Sequence, residues 1–140
     1  AYNENSAIPV KFVFQVAAPT CFEPSEWPLL MKVDGLASED DFCKMMTGKE
    51  LDDYTLDIQR ISPAGIVTDD SVPSLIAYGR IDHCVPVSQK YYLMDAYTRH
   101  NVPYDYVEFP NSNHGMYNDL DKLQEFIEKS LEYAERYFRE

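Results

Sequence analysis

The chain has 140 residues, of which 45% are hydrophobic and 14% aromatic, a composition typical of a globular domain and not of a disordered segment. Its formal net charge is −12, so phosphate backbones and anionic lipid surfaces would repel it, and we expect no nucleic-acid or membrane partner. No apolar run approaches the roughly 18 residues that a membrane-spanning helix needs.

The first predicted element is a strand from Val10 to Val16, a nearly continuous run of β-branched and aromatic residues that predicts a strand buried on both faces. Pro19 ends this run. Residues 20–60 have no strand pattern and predict two or three short helices. Gly35 and Gly48 are expected to separate these helices.

The second half of the chain predicts alternating strands and helices. A short apolar strand covers Ser74 to Tyr78 and stops at Gly79, and Ser88 is expected to cap a helix that runs to His100. A further strand follows at 104–109, and a long amphipathic helix starts near residue 118. Its apolar positions recur every three or four residues: Leu120, Leu123, Ile127, Leu131, Ala134 and Phe138. Units of about thirty residues predict an α/β fold with a three-stranded parallel sheet and right-handed crossovers.

Two chemically useful side chains follow the second and third strands. Asp82 comes just after the second strand, and His114 lies in the loop after the third. Since ligands bind beyond the carboxyl ends of the strands in an open parallel sheet, we expect the two side chains to lie close together. A carboxylate that accepts a hydrogen bond from an imidazole fixes its tautomer and stabilises the imidazolium that forms during acyl transfer.

These two loops also carry a family resemblance. The segment Tyr78–Pro86 places a glycine, an aspartate and a Val-Pro pair at the offsets of the acid loop of α/β-hydrolases, and the segment Phe109–Gly115 resembles their histidine loop. The order of acid then histidine along the chain is the order of that family. Residues 1–140 are therefore similar to the C-terminal half of an α/β-hydrolase of the esterase and lipase branch.

The resemblance implies a parent enzyme that hydrolyses small esters through a serine acyl-enzyme and needs no cofactor. Asp82 would orient the imidazole, and His114 would act first as general base and then as general acid. Residues of about 20–60 would form a helical cap over the site. Four apolar side chains of this region are candidates for an acyl pocket: Trp27, Met31, Met45 and Met46. Core filling is the simpler interpretation of the two adjacent methionines.

The sequence departs from this family at the nucleophile. The family places its serine in a G-x-S-x-G elbow between a strand and a helix, and no serine or cysteine here has glycine on both sides at that spacing. We therefore expect the elbow upstream of the first strand, with Ala1 and Tyr2 ending the helix that follows it. The chain would then be a fragment that is inactive alone, or a natural half-protein that has lost the chemistry.

Thiol and metal chemistry are alternatives near Asp82. The chain has three widely spaced cysteines, Cys21, Cys43 and Cys84. An odd number at these spacings fits neither a disulfide framework nor a zinc motif and favours free thiols. Free thiols favour a cytoplasmic location, although the location stays unknown. Cys84 could pair with His114 as a nucleophile. Asp82, His83 and His114 could imitate a two-histidine, one-carboxylate metal site, but adjacent side chains rarely converge on one ion, and we expect no metal.

A second class of function is also compatible with the sequence. The chain could be a non-catalytic three-stranded α/β module that binds a protein partner through an exposed strand edge. If the first strand lacks a neighbour on its outer side, its backbone donors and acceptors invite pairing with a second copy of the chain. The sequence immediately upstream separates the two hypotheses, because a G-x-S-x-G motif there favours the enzyme.

Overall fold

The computed structural model describes residues 9–138, so the expected helix end at Ala1 and Tyr2 lies outside the described part. Three strands form one parallel sheet in the order β1-β2-β3. This confirms the predicted α/β class. The strands are β1 (Val13–Val16), β2 (Ser74–Gly79) and β3 (Tyr104–Phe109), and the helices are α1 (Pro28–Val33), α2 (Glu39–Thr47), α3 (Leu51–Ile61), α4 (Gln89–Arg99) and α5 (Leu120–Phe138).

Helices α1 to α3 occupy the segment in which short helices were expected. Gly48 ends α2 with φ of 76°, and its backbone N–H donates to the carbonyl of Lys44. A left-handed residue of this kind is the usual C-terminal stop of a helix, and glycine adopts it without a steric penalty. The helical content of the segment agrees with the sequence, while its role as a cap stays a prediction.

The central strand β2 forms the middle of the core. All six of its residues are buried, and its full length pairs with β3, from Ser74 opposite Tyr104 to Gly79 opposite Phe109. Parallel strands covered on both faces by helices are expected to be apolar throughout. The observed bounds of β2 and β3 agree with the predicted bounds to within one residue.

Strand β1 differs from its prediction. It is shorter than the expected Val10 to Val16, and it is not buried on both faces, because Val13, Phe14 and Val16 are 40%, 41% and 49% exposed. The physical reason is its position. β1 pairs with β2 on one side, and within residues 9–138 no strand lies on its other side.

Helix α5 packs on the sheet through aromatic rings. Tyr133 is buried, and its hydroxyl donates to the carbonyl of Ser74 at 3.0 Å. The Phe14 ring of β1 lies 6.3 Å from that of Phe126 and 6.2 Å from that of Tyr133. The predicted leucine stripe is not the packed face, since Leu120 and Leu131 are 72% and 62% exposed. Apolar side chains are therefore exposed on both β1 and α5.

Residues 20–61, which contain α1 to α3 and are called the helical segment below, are joined to α4 by hydrogen bonds. The side-chain oxygen of Gln89 accepts from the backbone N–H groups of Thr20 at 2.9 Å and Cys21 at 2.8 Å. Ser88 holds the expected position before α4, but it does not cap the helix: its hydroxyl donates to Glu26 at 2.9 Å. The Ser88 hydroxyl thus bonds to a distant residue, Glu26, instead of to the backbone of α4.

Within residues 9–138, no helix is both long and apolar enough to cross a membrane.

A charged cluster connects α4 to β3. The nearly buried ammonium of Lys90 lies 2.7 Å from the carboxylate of Glu108, which also accepts from Arg80 and Tyr106. These bonds, the one from Lys90 most of all, outweigh the effect of burial and lower the pKa of Glu108 from its usual 4.5 to about 2. Because the folded-state pKa lies below the unfolded value, this carboxylate stabilises the fold fully above pH 4.5 and loses its contribution as the pH falls towards 2.

We expect the acid dependence of stability to shrink in Glu108→Gln. Urea unfolding between about pH 6 and pH 3 should show a smaller loss of stability in this variant than in the wild type, because its amide does not titrate. Glu125→Gln is the matched control, since that carboxylate forms an exposed pair with Lys122. Equal pH profiles for wild type and Glu108→Gln would contradict the assignment.

We also expect this chain to self-associate through the β1 edge. Val16→Lys places a charge on that edge and should shift sedimentation at high concentration towards the monomer. Ile66→Lys is the control, because Ile66 has nearly the same exposure (47%) and lies outside β1, in the short 3₁₀ helix Pro63–Ile66. A monomeric wild type at high concentration would argue against edge pairing.

Candidate functional site

Two loops meet at the carboxyl ends of β2 and β3. The backbone N–H of Arg80 donates to the carbonyl of Phe109 at 2.9 Å, and that of Ile81 donates to Ser112 at 3.2 Å. Gly79 lies under this crossing. A Cβ added at Gly79 would be 2.4 Å from the carbonyl oxygen of Ser112 and 2.5 Å from that of Asn113. Glycine is therefore required for close approach of the two loops.

The acid loop holds Asp82 in a fixed orientation. Its side chain is fully buried, and one carboxylate oxygen, Oδ1, accepts from the backbone N–H groups of Cys84 at 2.7 Å and Val85 at 2.9 Å. Two backbone donors on one oxygen define the rotamer without help from other side chains. The second oxygen, Oδ2, is therefore presented in one direction.

That direction leads to His114. Its Nδ1 lies 2.9 Å from Oδ2 of Asp82, and its side chain is 49% exposed. When Nδ1 donates to the carboxylate, Nε2 carries the lone pair and can take a proton from a nucleophile. The structure thus brings together the two residues predicted to be catalytic, 32 positions apart in the chain, in the arrangement expected of an acid and a base.

The histidine loop is held by a carboxylate that sequence reasoning missed. Asp119 is buried and accepts from the backbone N–H of Asn111 at 3.0 Å, from its side-chain amide at 2.8 Å and from the Ser112 hydroxyl at 2.6 Å. Burial alone would raise the pKa of Asp119, but these donors hold it below its usual value. Just before the final helix, an aspartate looks like an ordinary helix-start residue, so the sequence carried no signal of this role.

A tight turn follows the histidine. The Asn113 side chain accepts from the N–H of Gly115 at 3.1 Å, and the Asn113 carbonyl accepts from the N–H of Met116 at the same distance. Met116 is buried and has φ of 56°, a conformation that costs free energy for a residue with a side chain. These hydrogen bonds and the buried Met116 side chain stabilise the backbone that follows His114.

The four predicted substrate-binding residues lie in the helical segment. Trp27 is buried between the stacked rings of Phe22 and Phe42, and its indole N–H donates to the carbonyl of Cys21 at 2.9 Å. Trp27 therefore packs as part of the core of this segment. Met45 is 46% exposed, and Met31 and Met46 are partly buried against the core. Their role in an acyl pocket stays a prediction.

A cavity of about 340 Å³ lies between α3 and α4, and its lining includes Ile58, Tyr92 and Arg99. It contains neither the candidate acid and base nor any of the four predicted substrate-binding residues. Its lining therefore gives no support to the predicted acyl pocket.

The sequence matches a family model over most of its length. The model, described as the prolyl oligopeptidase family, matches residues 17–140, which include the helical segment, both loops and α5. This chain belongs to the prolyl oligopeptidase family. Because that family has the α/β-hydrolase fold, the resemblance noted in the two loops is confirmed at the level of the superfamily. No curated protein matches this chain.

Solved structures agree on the fold. The acetyl ester-xyloside bifunctional hydrolase of Caldicellulosiruptor lactoaceticus superposes with a TM-score of 0.67 at 17% identity, over 91% of this chain and 42% of its own. A truncated carbohydrate esterase from gut microbiota gives a TM-score of 0.54 at 19% identity, over 88% of this chain and 44% of its own. This member of the prolyl oligopeptidase family thus spans less than half the length of either solved structure.

Gly79→Ala should separate the two loops. Its Cβ would overlap the backbone carbonyls of Ser112 and Asn113, so the histidine loop would have to shift, and we expect a stability loss of about 1–3 kcal/mol. We also expect weakening of the Asp82–His114 hydrogen bond, seen as loss of the downfield imidazole Nδ1–H resonance in proton NMR.

Gly115→Ala is the control for this prediction. A Cβ there would meet the ring of Tyr117, which is 81% exposed and can swing into solvent. Its stability loss should be smaller than that of Gly79→Ala. If Gly79→Ala keeps both the wild-type stability and the downfield resonance, the close-approach argument is wrong.

Proposed function

We propose that this chain supplies the acid and the base of a serine hydrolase whose nucleophile lies on an upstream segment. The observation that carries the proposal is the 2.9 Å contact between Nδ1 of His114 and Oδ2 of Asp82. It is supported by the two backbone donors that orient the carboxylate and by the match to a hydrolase family. No G-x-S-x-G motif occurs in the 140 residues, so the serine and the oxyanion hole would come from elsewhere.

The geometry assigns a step to each of the two side chains. Nε2 of His114 would remove the proton from the serine hydroxyl as that oxygen attacks the substrate carbonyl, and would return it to the leaving group. Asp82 would stay ionised and stabilise the imidazolium between these two transfers. Its burial helps, because a charge interaction is stronger where water is excluded.

Carboxylic esters of modest size are the first substrate class that we propose. The two solved structures described above are named as hydrolases of esters or carbohydrate esters, which supports testing acetyl esters first. A peptide substrate is the second candidate, since the family model carries the name of an oligopeptidase. The acid and the histidine serve both reactions, so a substrate panel on the assembled enzyme has to separate them.

The non-catalytic alternative makes use of the same surface. If this chain is a binding module, the apolar edge of β1 and the exposed leucines of α5 would hold a protein partner and the Asp82–His114 pair would be idle. The reconstituted enzyme separates the two. Activity that appears when an upstream segment with a serine elbow is supplied, and that His114→Ala abolishes, is incompatible with an idle pair.

This chain alone should show no covalent turnover of an ester. In serine hydrolases that lack one triad residue, about 10³–10⁴-fold catalysis over water remains, and it comes from the oxyanion hole and from binding. Here we expect the hole to be absent with the serine, so even that remainder should vanish. Stopped-flow mixing with a nitrophenyl ester near pH 8 should give no stoichiometric burst.

His114→Ala is the control for this assay, because a free imidazole can slowly cleave an activated ester without a triad. A burst in the wild type that disappears in the variant would mean that a nucleophile exists among these 140 residues. Cys84 would then be the first residue to test. When the upstream segment is supplied, Asp82→Asn should lower kcat by roughly 10⁴-fold, the loss known for the equivalent change in a serine protease.

A further inference from the structure

Three different metal-ligating groups converge in the candidate site. A carboxylate oxygen of Asp82, the Sγ of Cys84 and a ring nitrogen of His114 all lie within 4.8 Å of one another. His83, which the sequence analysis considered as a ligand beside Asp82 and set aside, is not part of this group. Two of the three side chains face solvent: Cys84 is exposed, and His114 is half-exposed.

We propose that Asp82, Cys84 and His114 form a binding site for a zinc-class divalent cation. Thiolate, imidazole and carboxylate are the three ligand types that Zn²⁺ takes from proteins. Three protein ligands with one open position, filled by water, give the usual tetrahedral site. Mg²⁺ and Ca²⁺ prefer all-oxygen ligands and are not expected to compete for a site that contains a thiolate and an imidazole.

The geometry lies close to what a tetrahedral ion requires. Metal–ligand bonds of about 2.0–2.3 Å place one sulfur and two N or O ligand atoms roughly 3.3–3.6 Å apart. Atoms that now lie up to 4.8 Å apart therefore need to approach by about 1.5 Å at most, and the 2.9 Å contact between Nδ1 of His114 and Oδ2 of Asp82 has to open slightly if Nδ1 is the ligand. Asp82 provides the rigid point, since two backbone N–H groups hold its carboxylate. The exposed side chains of Cys84 and His114 can rotate towards it.

Coordination changes protons but not oxidation states. The thiol of Cys84 loses its proton when the metal–sulfur bond forms, and that proton goes to the solvent. His114 binds through an unprotonated ring nitrogen. Because protons compete with the metal for both groups, the affinity should rise with pH.

The site would also be inhibitory. An ion held by His114 and Asp82 occupies the two groups that a serine nucleophile would need. The zinc-class cation would therefore block hydrolysis reversibly. This consequence rests on the proposed function, whereas the binding of the ion rests on the geometry alone. A binding measurement on the chain therefore tests the site independently of any catalytic activity.

Cobalt(II) is the probe, because it substitutes for zinc and reports its ligands by absorption. Titration of the full 140-residue chain with Co²⁺ should produce a near-ultraviolet thiolate-to-cobalt band and visible bands of tetrahedral intensity, both of which Zn²⁺ abolishes by displacement. Cys84→Ser should remove the thiolate band, and His114→Ala should weaken binding by at least ~10-fold. Cys21→Ser and His83→Gln are the matched controls and should titrate like the wild type.

A protection experiment on the wild type covers the case in which a variant fails to fold. Zn²⁺ should slow alkylation of Cys84 by iodoacetamide at least ~10-fold, as mapped by mass spectrometry, without slowing that of Cys21. Absence of a thiolate band, its persistence in Cys84→Ser, its loss in Cys21→Ser, or equal alkylation rates with and without Zn²⁺ would each overturn the proposal. If binding is found and the assembled enzyme proves inactive, the metal site stands and the proposed hydrolase function fails.

Discussion

The six-residue parallel ladder between β2 and β3 determines where every chemical group of the site lies. Because Ser74 pairs with Tyr104 and Gly79 with Phe109, both strands end at the same level and their following loops leave side by side. The loops then exchange backbone hydrogen bonds above Gly79, where a side chain would meet carbonyl oxygens at 2.4–2.5 Å. A shift of one residue in this register would turn the strand side chains to the opposite face and separate Asp82 from His114.

Rigidity in the site decreases from the acid to the histidine. Asp82 is fully buried and held by two backbone donors, whereas His114 is half-exposed and depends on its loop. Asp119 anchors that loop through Asn111 and Ser112, so its carboxylate is a positioning residue for the histidine. This gradient suits the proposed general base, which must keep its tautomer while Nε2 reaches different partners. It also suits the proposed metal site, for which the side chains of Cys84 and His114 have to turn towards the ion.

Strand β1 and helix α5 expose several large apolar side chains to solvent. Valines and a phenylalanine on the strand and leucines on the helix are exposed, and the ring of Phe14 lies against that of Phe126. Exposed apolar side chains that cluster in this way usually mark an interface. The chain spans 42–44% of the structures it resembles, and a second copy of the chain and an upstream segment are both candidates to cover these side chains.

The sequence by itself determined the order and type of the elements, because hydrophobic periodicity and glycine or proline breaks are local properties. It also indicated Asp82 and His114, since residues after parallel strands meet at one edge of a sheet. Only the tertiary structure decided which residues those elements bury. Tyr133 faces the sheet while the leucine stripe of α5 faces outwards, Trp27 lies inside the helical segment, and Ser88 bonds to Glu26 instead of capping α4. The close approach at Gly79, the anchoring bonds of Asp119 and the proximity of Cys84 to His114 depend on contacts between separate segments of the chain, which no local pattern records.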